Sequence, residues 1–178
     1  MLSYRPLILF AGLTALTCAM PVAATLPTPP QSAATREAQA YLFYGGAGDV
    51  SEITTSSLAI QNSRNPAVRA YATMLIDHHS KATNSALDTA KAAGVMPPPP
   101  ELIAMQKAMI SQLLAAGPET FDRVYLTQQV PAHQQALALV QGYAAQGDMP
   151  ALRQAAQAMI PVVQAHLTQA RQLLGTVR

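Results

Sequence analysis

Apolar residues in this chain recur at steps of three and four, in stretches separated from one another by proline and glycine. That spacing keeps one face of a helix pointed inward, and no segment shows the period of two that a half-buried strand needs. The chain is therefore expected to be all-α. The breaks fall at Asn65-Pro66, at Gly94 with Pro97 to Pro100, at Gly117-Pro118 and at Gly147-Asp148-Met149-Pro150. They combine helix stops with residues suited to a turn or to the first helical position. Long helices are predicted over 35–63, 66–93, 119–145 and 150–175, with a short amphipathic helix over 101–116 between the second and third. Gly45, Gly46 and Gly48 weaken the first helix and are expected to kink or break it. Short turns between long helices imply antiparallel neighbours, hence an up-down-up-down four-helix bundle with one extra short helix.

Three of the four histidines interrupt these apolar stripes. The second helix reads Val68, Ala72, Leu75, His79, Ala82, Ala86; the third reads Asp122, Leu126, Gln129, His133, Ala136, Val140; the fourth reads Leu152, Ala156, Met159, Val163, His166, Ala170, Leu173. Each histidine thus points at the core. The first helix has the weakest stripe, and one register through Leu42, Asp49, Glu52, Ser56 and Ala59 places two carboxylates on its inner face. Distances from the turns test whether these groups meet, because a helix rises about 1.5 Å per residue. Glu52 lies fourteen residues before Pro66 and His79 thirteen after it; His133 lies fifteen before Asp148 and His166 eighteen after it. Glu52, His79, His133 and His166 therefore share one layer at mid-bundle, while Asp122 stands three turns away from it.

One carboxylate and three imidazoles form a set that Zn, Mn or Fe accepts. The same four residues also suit a buried, hydrogen-bonded polar layer that serves packing alone. His78 should face another side of its helix and be partly exposed, and Asp77 should be a solvated surface carboxylate. Met159 is expected to fill core space. Pro131 and Pro161 lie inside the third and fourth helices and should bend them near the site.

The chain begins with Arg5, an apolar run to about Ala19, and Val22 and Ala24 at positions suited to a small-residue cleavage site. This reads as a secretory signal peptide over 1–24, followed by a flexible proline-containing segment over 25–34 and the bundle domain over 35–176. The run is short for a membrane span, so no transmembrane anchor is expected in the mature chain. The only cysteine, Cys18, lies inside the leader. Leu16 and Thr17 before it fit poorly with a lipidation site, and its removal leaves no thiolate for a disulfide, a nucleophile or a metal. Ten Lys and Arg then face nine Asp and Glu without any basic cluster, which gives no electrostatic case for nucleic acid. There is no Gly-x-Ser-x-Gly elbow, phosphate-cradling loop or dinucleotide fingerprint, so the reading leans away from an enzyme.

Several runs together resemble a family of exported bacterial proteins of unknown function. These are Gly45-Gly46 with Glu52, Asn65-Pro66-x-Val68 leading to Ala72 and Asp77-His78-His79-Ser80-Lys81, Phe121-Asp122-x-x-Tyr125 with His133-Gln134, and Pro161 with His166 and Ala170. That family is ferritin-like, is often labelled predicted outer membrane protein, and is matched over roughly Ala38 to Leu174. The resemblance implies a ferritin-like bundle with Glu52, His79, His133 and His166 as its recurrent polar residues, and a periplasmic or outer-membrane-associated location. It supplies no reaction. Di-iron ferritin-like sites use Glu-x-x-His pairs, and this chain has Ile76 and Val163 three residues before His79 and His166. Oxygen-activating oxidase chemistry ranks low for that reason. Two readings stay open, a transition-metal site in a binding protein and a metal-free structural protein with a partner in the cell envelope.

Overall fold

The computed structural model describes residues 28–97 and 99–177, and the expected leader with Cys18 lies outside them. Five α-helices carry the described chain: α1 (Ala38–Asn62), α2 (Pro66–Ala92), α3 (Ala104–Leu114), α4 (Phe121–Gln146) and α5 (Pro150–Leu174). The expected all-α bundle, with a short helix between the second and third long ones, is what forms. The turn signals act as their chemistry requires. Asn65 Oδ1 caps α2 by accepting from the Ala67 amide at 2.9 Å, with Pro66 at the first helical position. Gly94 ends α2 at φ 71°, with the Val95 amide reaching the Ala90 carbonyl and the Gly94 amide reaching that of Lys91, the paired bonds of a glycine stop.

Three expectations change. First, α1 runs unbroken through Gly45, Gly46 and Gly48; the roughly 1 kcal/mol each glycine costs a helix is outweighed by burial of Leu42, Phe43, Ala47 and Ala59 on the same helix. Second, the segment before α1 is docked within its described part. Gln31–Ala33 form a 3-10 turn, Ala33 and Ala34 are buried, and the Tyr44 hydroxyl donates to the Pro29 carbonyl at 2.8 Å.

Third, the helix directions run up, down, down, up. Tyr41 at the start of α1 stacks on Tyr143 near the end of α4, with ring centroids 4.0 Å apart, while Ser56 later in α1 meets the hydroxyl of Tyr125 early in α4 at 2.9 Å. α1 and α4 are therefore antiparallel neighbours. Val68 of α2 packs in one cluster with Ala170 of α5, and Ala90 in another with Leu152, so α2 and α5 are antiparallel as well. The short-turn argument holds for α1 to α2 and α4 to α5. It does not hold across residues 93–120, which carry the chain back along the bundle with α3 packed on α1 and α4.

The level of the site survives that reversal for a geometric reason. His79 lies thirteen residues from either end of α2, and His133 twelve and thirteen from the ends of α4; a mid-helix residue stays at mid-height whichever way its helix points. An apolar cluster containing Tyr71, Leu75, Tyr125 and Leu126 lies on one side of this layer, and one containing Leu42, Tyr143, Leu152 and Ala156 on the other. Each large side chain fully buried there contributes about 1.5–3 kcal/mol. The polar layer is thus held between two conventional cores.

Candidate metal centre

His79 from α2, His133 from α4 and His166 from α5 are buried at 9%, 1% and 2% exposure. Their ring centroids form a near-equilateral triangle, 5.8, 5.6 and 5.3 Å on a side. One nitrogen from each ring lies within 4.8 Å of the other two. Glu52 of α1 is buried beside them at 7% exposure, and its negative charge acts on both His79 and His133. The three histidines read from the sequence stripes converge, and Glu52 adjoins them outside the triangle of nitrogens.

The hydrogen bonds sort the ring nitrogens of the three histidines into a bonded and an unbonded set. His79 Nδ1–H donates to Asp49 Oδ1 at 2.8 Å, and the other Asp49 oxygen accepts from the Thr83 hydroxyl at 2.7 Å. His133 Nδ1–H donates to the Gln129 carbonyl at 3.0 Å. His166 Nε2 is paired with His78 Nδ1 at 2.8 Å, the two rings stacked with centroids 5.1 Å apart. His79 Nε2, His133 Nε2, His166 Nδ1 and Glu52 Oε2 are buried and without a hydrogen-bond partner. Buried polar atoms are ordinarily bonded; Asp122 Oδ1, Gln128 Oε1 and Gln129 Oε1 also lack a partner, but only the histidines bring one nitrogen each within 4.8 Å of one another. A neutral imidazole whose one N–H is fixed by an acceptor presents a lone pair on its other nitrogen, the arrangement found at metal-ligating histidines.

The charge balance follows from these contacts. Burial lowers the proton affinity of His79, but the Asp49 hydrogen bond and the charges of Glu52 and Asp49 outweigh it and raise the pKa above the usual value. Burial dominates at His133, whose pKa is lowered despite Glu52 and the Gln129 bond. Burial and the three neighbouring histidines push His166 down to about 3. Two of the three imidazoles are therefore held neutral near pH 7, the form that binds metals. Around them Tyr71 donates to the His166 carbonyl at 3.2 Å, and Tyr71 and Tyr125 both have hydroxyl pKa values raised by burial and then by Glu52. A cavity of about 620 Å³ reaches the cluster, with Glu52, His79, His133 and His166 among its lining and apolar residues such as Leu42 and Met159 beyond them.

The remaining sequence expectations divide. Asp49 stands on the inner face with Glu52, as the α1 register proposed, and its role as the partner of His79 becomes visible only here. Asp77 is exposed and pairs with Lys81 four residues on. Met159 packs with the apolar cluster. Pro131 and Pro161 interrupt neither α4 nor α5. His78 is the correction: it is half-buried, but it turns toward α5 and bonds His166 instead of standing apart from the site. Sequence position alone conceals this, because residues 78 and 79 diverge by about 100° around a helix and only the seat of α5 between those directions lets both reach it.

Fold and site together define a helical bundle with a buried three-histidine, one-carboxylate layer. The chain belongs to the family described as domain of unknown function DUF4142, which matches residues 23–173. No protein of curated function matches it. Among solved structures it is similar to CopM in its Cu(II)-bound form, with 17% identity, a TM-score of 0.68, and coverage of 79% of this chain and 97% of that one. CopM in its Cu(I)-bound form matches at 18% identity and a TM-score of 0.67, covering 79% and 96%. A DUF305 fragment from Deinococcus radiodurans matches at 14% identity and a TM-score of 0.69, covering 85% and 100%. At such identities the likeness is one of fold.

Proposed function

We propose that this protein is an exported metal-binding bundle that holds a transition-metal ion through His79 Nε2, His133 Nε2 and His166 Nδ1, with Glu52 as the adjacent carboxylate. The observation that carries the reading is that one nitrogen of each of three buried rings lies within 4.8 Å of the other two, while a hydrogen bond at one nitrogen holds each ring. Donors bound to one ion at roughly 2.0–2.1 Å stand no more than about 4.2 Å apart, so small ring rotations bring all three onto a single centre.

The set of one carboxylate and three imidazoles makes Zn, Mn and Fe the ions expected from the sequence, and donor chemistry orders the choice further. Imidazole suits Cu and Zn, and affinity at nitrogen sites rises from Mn to Fe and peaks at Cu above Zn. The CopM structures carry Cu(II), Cu(I) or silver, which supports placing copper first for this chain as well. Export rests on the signal-like start, and no helix among the described residues is long and apolar enough to cross a membrane.

The test is titration of protein purified without a histidine tag, using Cu(I), Cu(II), Ag(I), Zn(II), Fe(II) and Mn(II), with elemental analysis after desalting and thermal melts of each sample. Retention of about one copper per chain, with zinc weaker and manganese weakest, is expected. If no ion is retained and none raises the melting temperature, the layer is a structural one and the metal reading is abandoned.

A further inference from the structure

The cavity of about 620 Å³ adjoins the histidine layer on one side only. Its lining comes from residues 41–52 of α1, 78–87 of α2, 131–140 of α4 and 152–166 of α5. In each long helix the lining therefore starts at the level of the cluster and runs toward the end of the bundle where Tyr41 stacks on Tyr143. The segment that carries Met105 and Met109 adds a further wall. This volume is far more than one ion takes and lies in the range of small-molecule sites.

The lining residues of α1 include Tyr41, Gly45, Gly48 and Glu52, a helical stripe in steps of four, three and four. Glycine destabilises a helix interior, so each one calls for a reason. Gly46 has one in packing, because a Cβ there would stand 3.2 Å from Pro100. Gly45 and Gly48 have none of that kind, since a Cβ at either meets nothing within 4 Å. What they provide is width, a strip of bare backbone in the cavity wall between Tyr41 and Glu52. Leu42, Val140 and Met159 make other parts of the wall apolar. Leu87 and Met105 also line it and are 44% and 46% exposed, so apolar surface continues to the mouth.

Among the described residues no Lys or Arg lines the cavity, while two carboxylates, Asp49 and Glu52, do. Asp49 is engaged by His79 and Thr83. Glu52 is 7% exposed, and its Oε2 has no hydrogen-bond partner. A buried carboxylate short of donors is destabilising, and an N–H group brought in through the cavity relieves it, whereas an anionic group would meet two carboxylates. We propose that the cavity is a binding site for an amphipathic organic ammonium, with its apolar body along the glycine strip of α1 and its N–H donors at Glu52. The site shares Glu52 with the proposed metal centre but does not rest on that reading.

The test is isothermal titration calorimetry of full-length mature protein freed of metal by chelation. The ligands are alkylammonium ions from hexyl to dodecyl, with the alcohols and carboxylates of the same lengths, all below their micelle concentrations. Affinity for the ammonium ions is expected to rise about 4-fold per added methylene until the chain fills the cavity. At equal length the ammonium should bind about 10-fold or more tightly than the alcohol, and the carboxylate most weakly. Glu52→Gln should remove the preference for ammonium and keep the binding of the alcohol. Gly45→Leu, which places a side chain in the open strip, should weaken every ligand by about 10-fold or more without lowering the melting temperature. The proposal is overturned if no ammonium ion binds, if ammonium binds no more tightly than the alcohol, or if folded Gly45→Leu binds the series like wild type. The first two outcomes are read from wild type alone, so they decide the matter even where a variant fails to fold. All titrations use metal-free protein, so their result is independent of whether the three histidines hold an ion.

Discussion

Replacement of Asp49 by alanine separates the proposed ion-holding role of the layer from its contribution to folding. The Asp49 carboxylate accepts one hydrogen bond from His79 at 2.8 Å and one from Thr83 at 2.7 Å. Hydrogen bonds to a charged group contribute about 1.5–3 kcal/mol each, a gross loss of about 3–6 kcal/mol. Two effects reduce it: the Asp49 side chain is 18% exposed, so water reaches the vacated partners, and its removal ends the cost of desolvating a carboxylate. A net loss of about 2–3 kcal/mol is expected for Asp49→Ala, which lowers the melting temperature of a domain this size by about 4–12 °C. Asp49→Asn keeps an acceptor for His79 and should lose less than half as much. Metal affinity should behave differently from stability. Loss of the acceptor behind a ligating histidine frees its ring and tautomer and costs about 10–100-fold in affinity. Urea unfolding gives the first quantity, and competition of Cu(I) or Zn(II) against a chromophoric chelator gives the second. Undiminished affinity in a folded Asp49→Ala protein would refute the claim that Asp49 aims His79 Nε2 at the site.

His133→Ala and His166→Ala should each abolish tight binding of copper or zinc in the untagged protein, and retention of the ion by either variant would show that the triangle of nitrogens is not the site. Gly147→Ala should destabilise by about 1–3 kcal/mol, because an added Cβ stands 2.6 Å from the Tyr143 ring and 2.7 Å from its carbonyl. Gly45→Ala, whose Cβ meets nothing within 4 Å, should stabilise by about 0.5–1 kcal/mol in the same unfolding assay; equal effects from the two glycines would contradict the packing described. Stability should fall with acid before the carboxylates titrate. His133 and His166 have folded-state pKa values below the unfolded value of about 6.5, so their contribution is complete above that pH and is lost as the pH falls toward about 3 for His166. The slope is up to about 1.4 kcal/mol per pH unit for each. His79, raised instead, contributes below pH of about 6.5 and loses that contribution as the pH rises through its folded value, so it leaves the acid slope unchanged. Urea midpoints measured from pH 7 to 4 that stay level would count against a neutral, buried pair.

What the sequence makes legible here is whatever depends on one helix at a time. The stripes through Val68, Leu75 and His79 or through Leu152, Val163 and His166 are local periodicities, and those residues are buried. Mid-helix position is local too, which is why the level of the site is readable although the order of helix directions is not. The crossover over residues 93–120 defeats the short-turn rule because its prolines and α3 mark where helices stop without saying on which side of the bundle the chain returns. Pairings between elements are hidden for the same reason. Asp49 with His79, Ser56 with Tyr125 and His78 with His166 each depend on which helix lies next to which.

The up, down, down, up order also explains why a second histidine can support the site. In this arrangement α2 and α5 are antiparallel neighbours, packed from Val68 with Ala170 to Ala90 with Leu152, and His166 sits opposite the middle of α2. Consecutive residues there diverge by about 100°, so one of them enters the interior while the other skirts the α2–α5 seam. His79 takes the first direction and reaches Asp49 on α1; His78 takes the second and reaches His166 on α5. A lone histidine at position 79 would leave His166 Nε2 without a partner in the seam, and a buried imidazole nitrogen without one costs about 1–3 kcal/mol. The adjacent pair thus joins α1, α2 and α5 through two imidazoles.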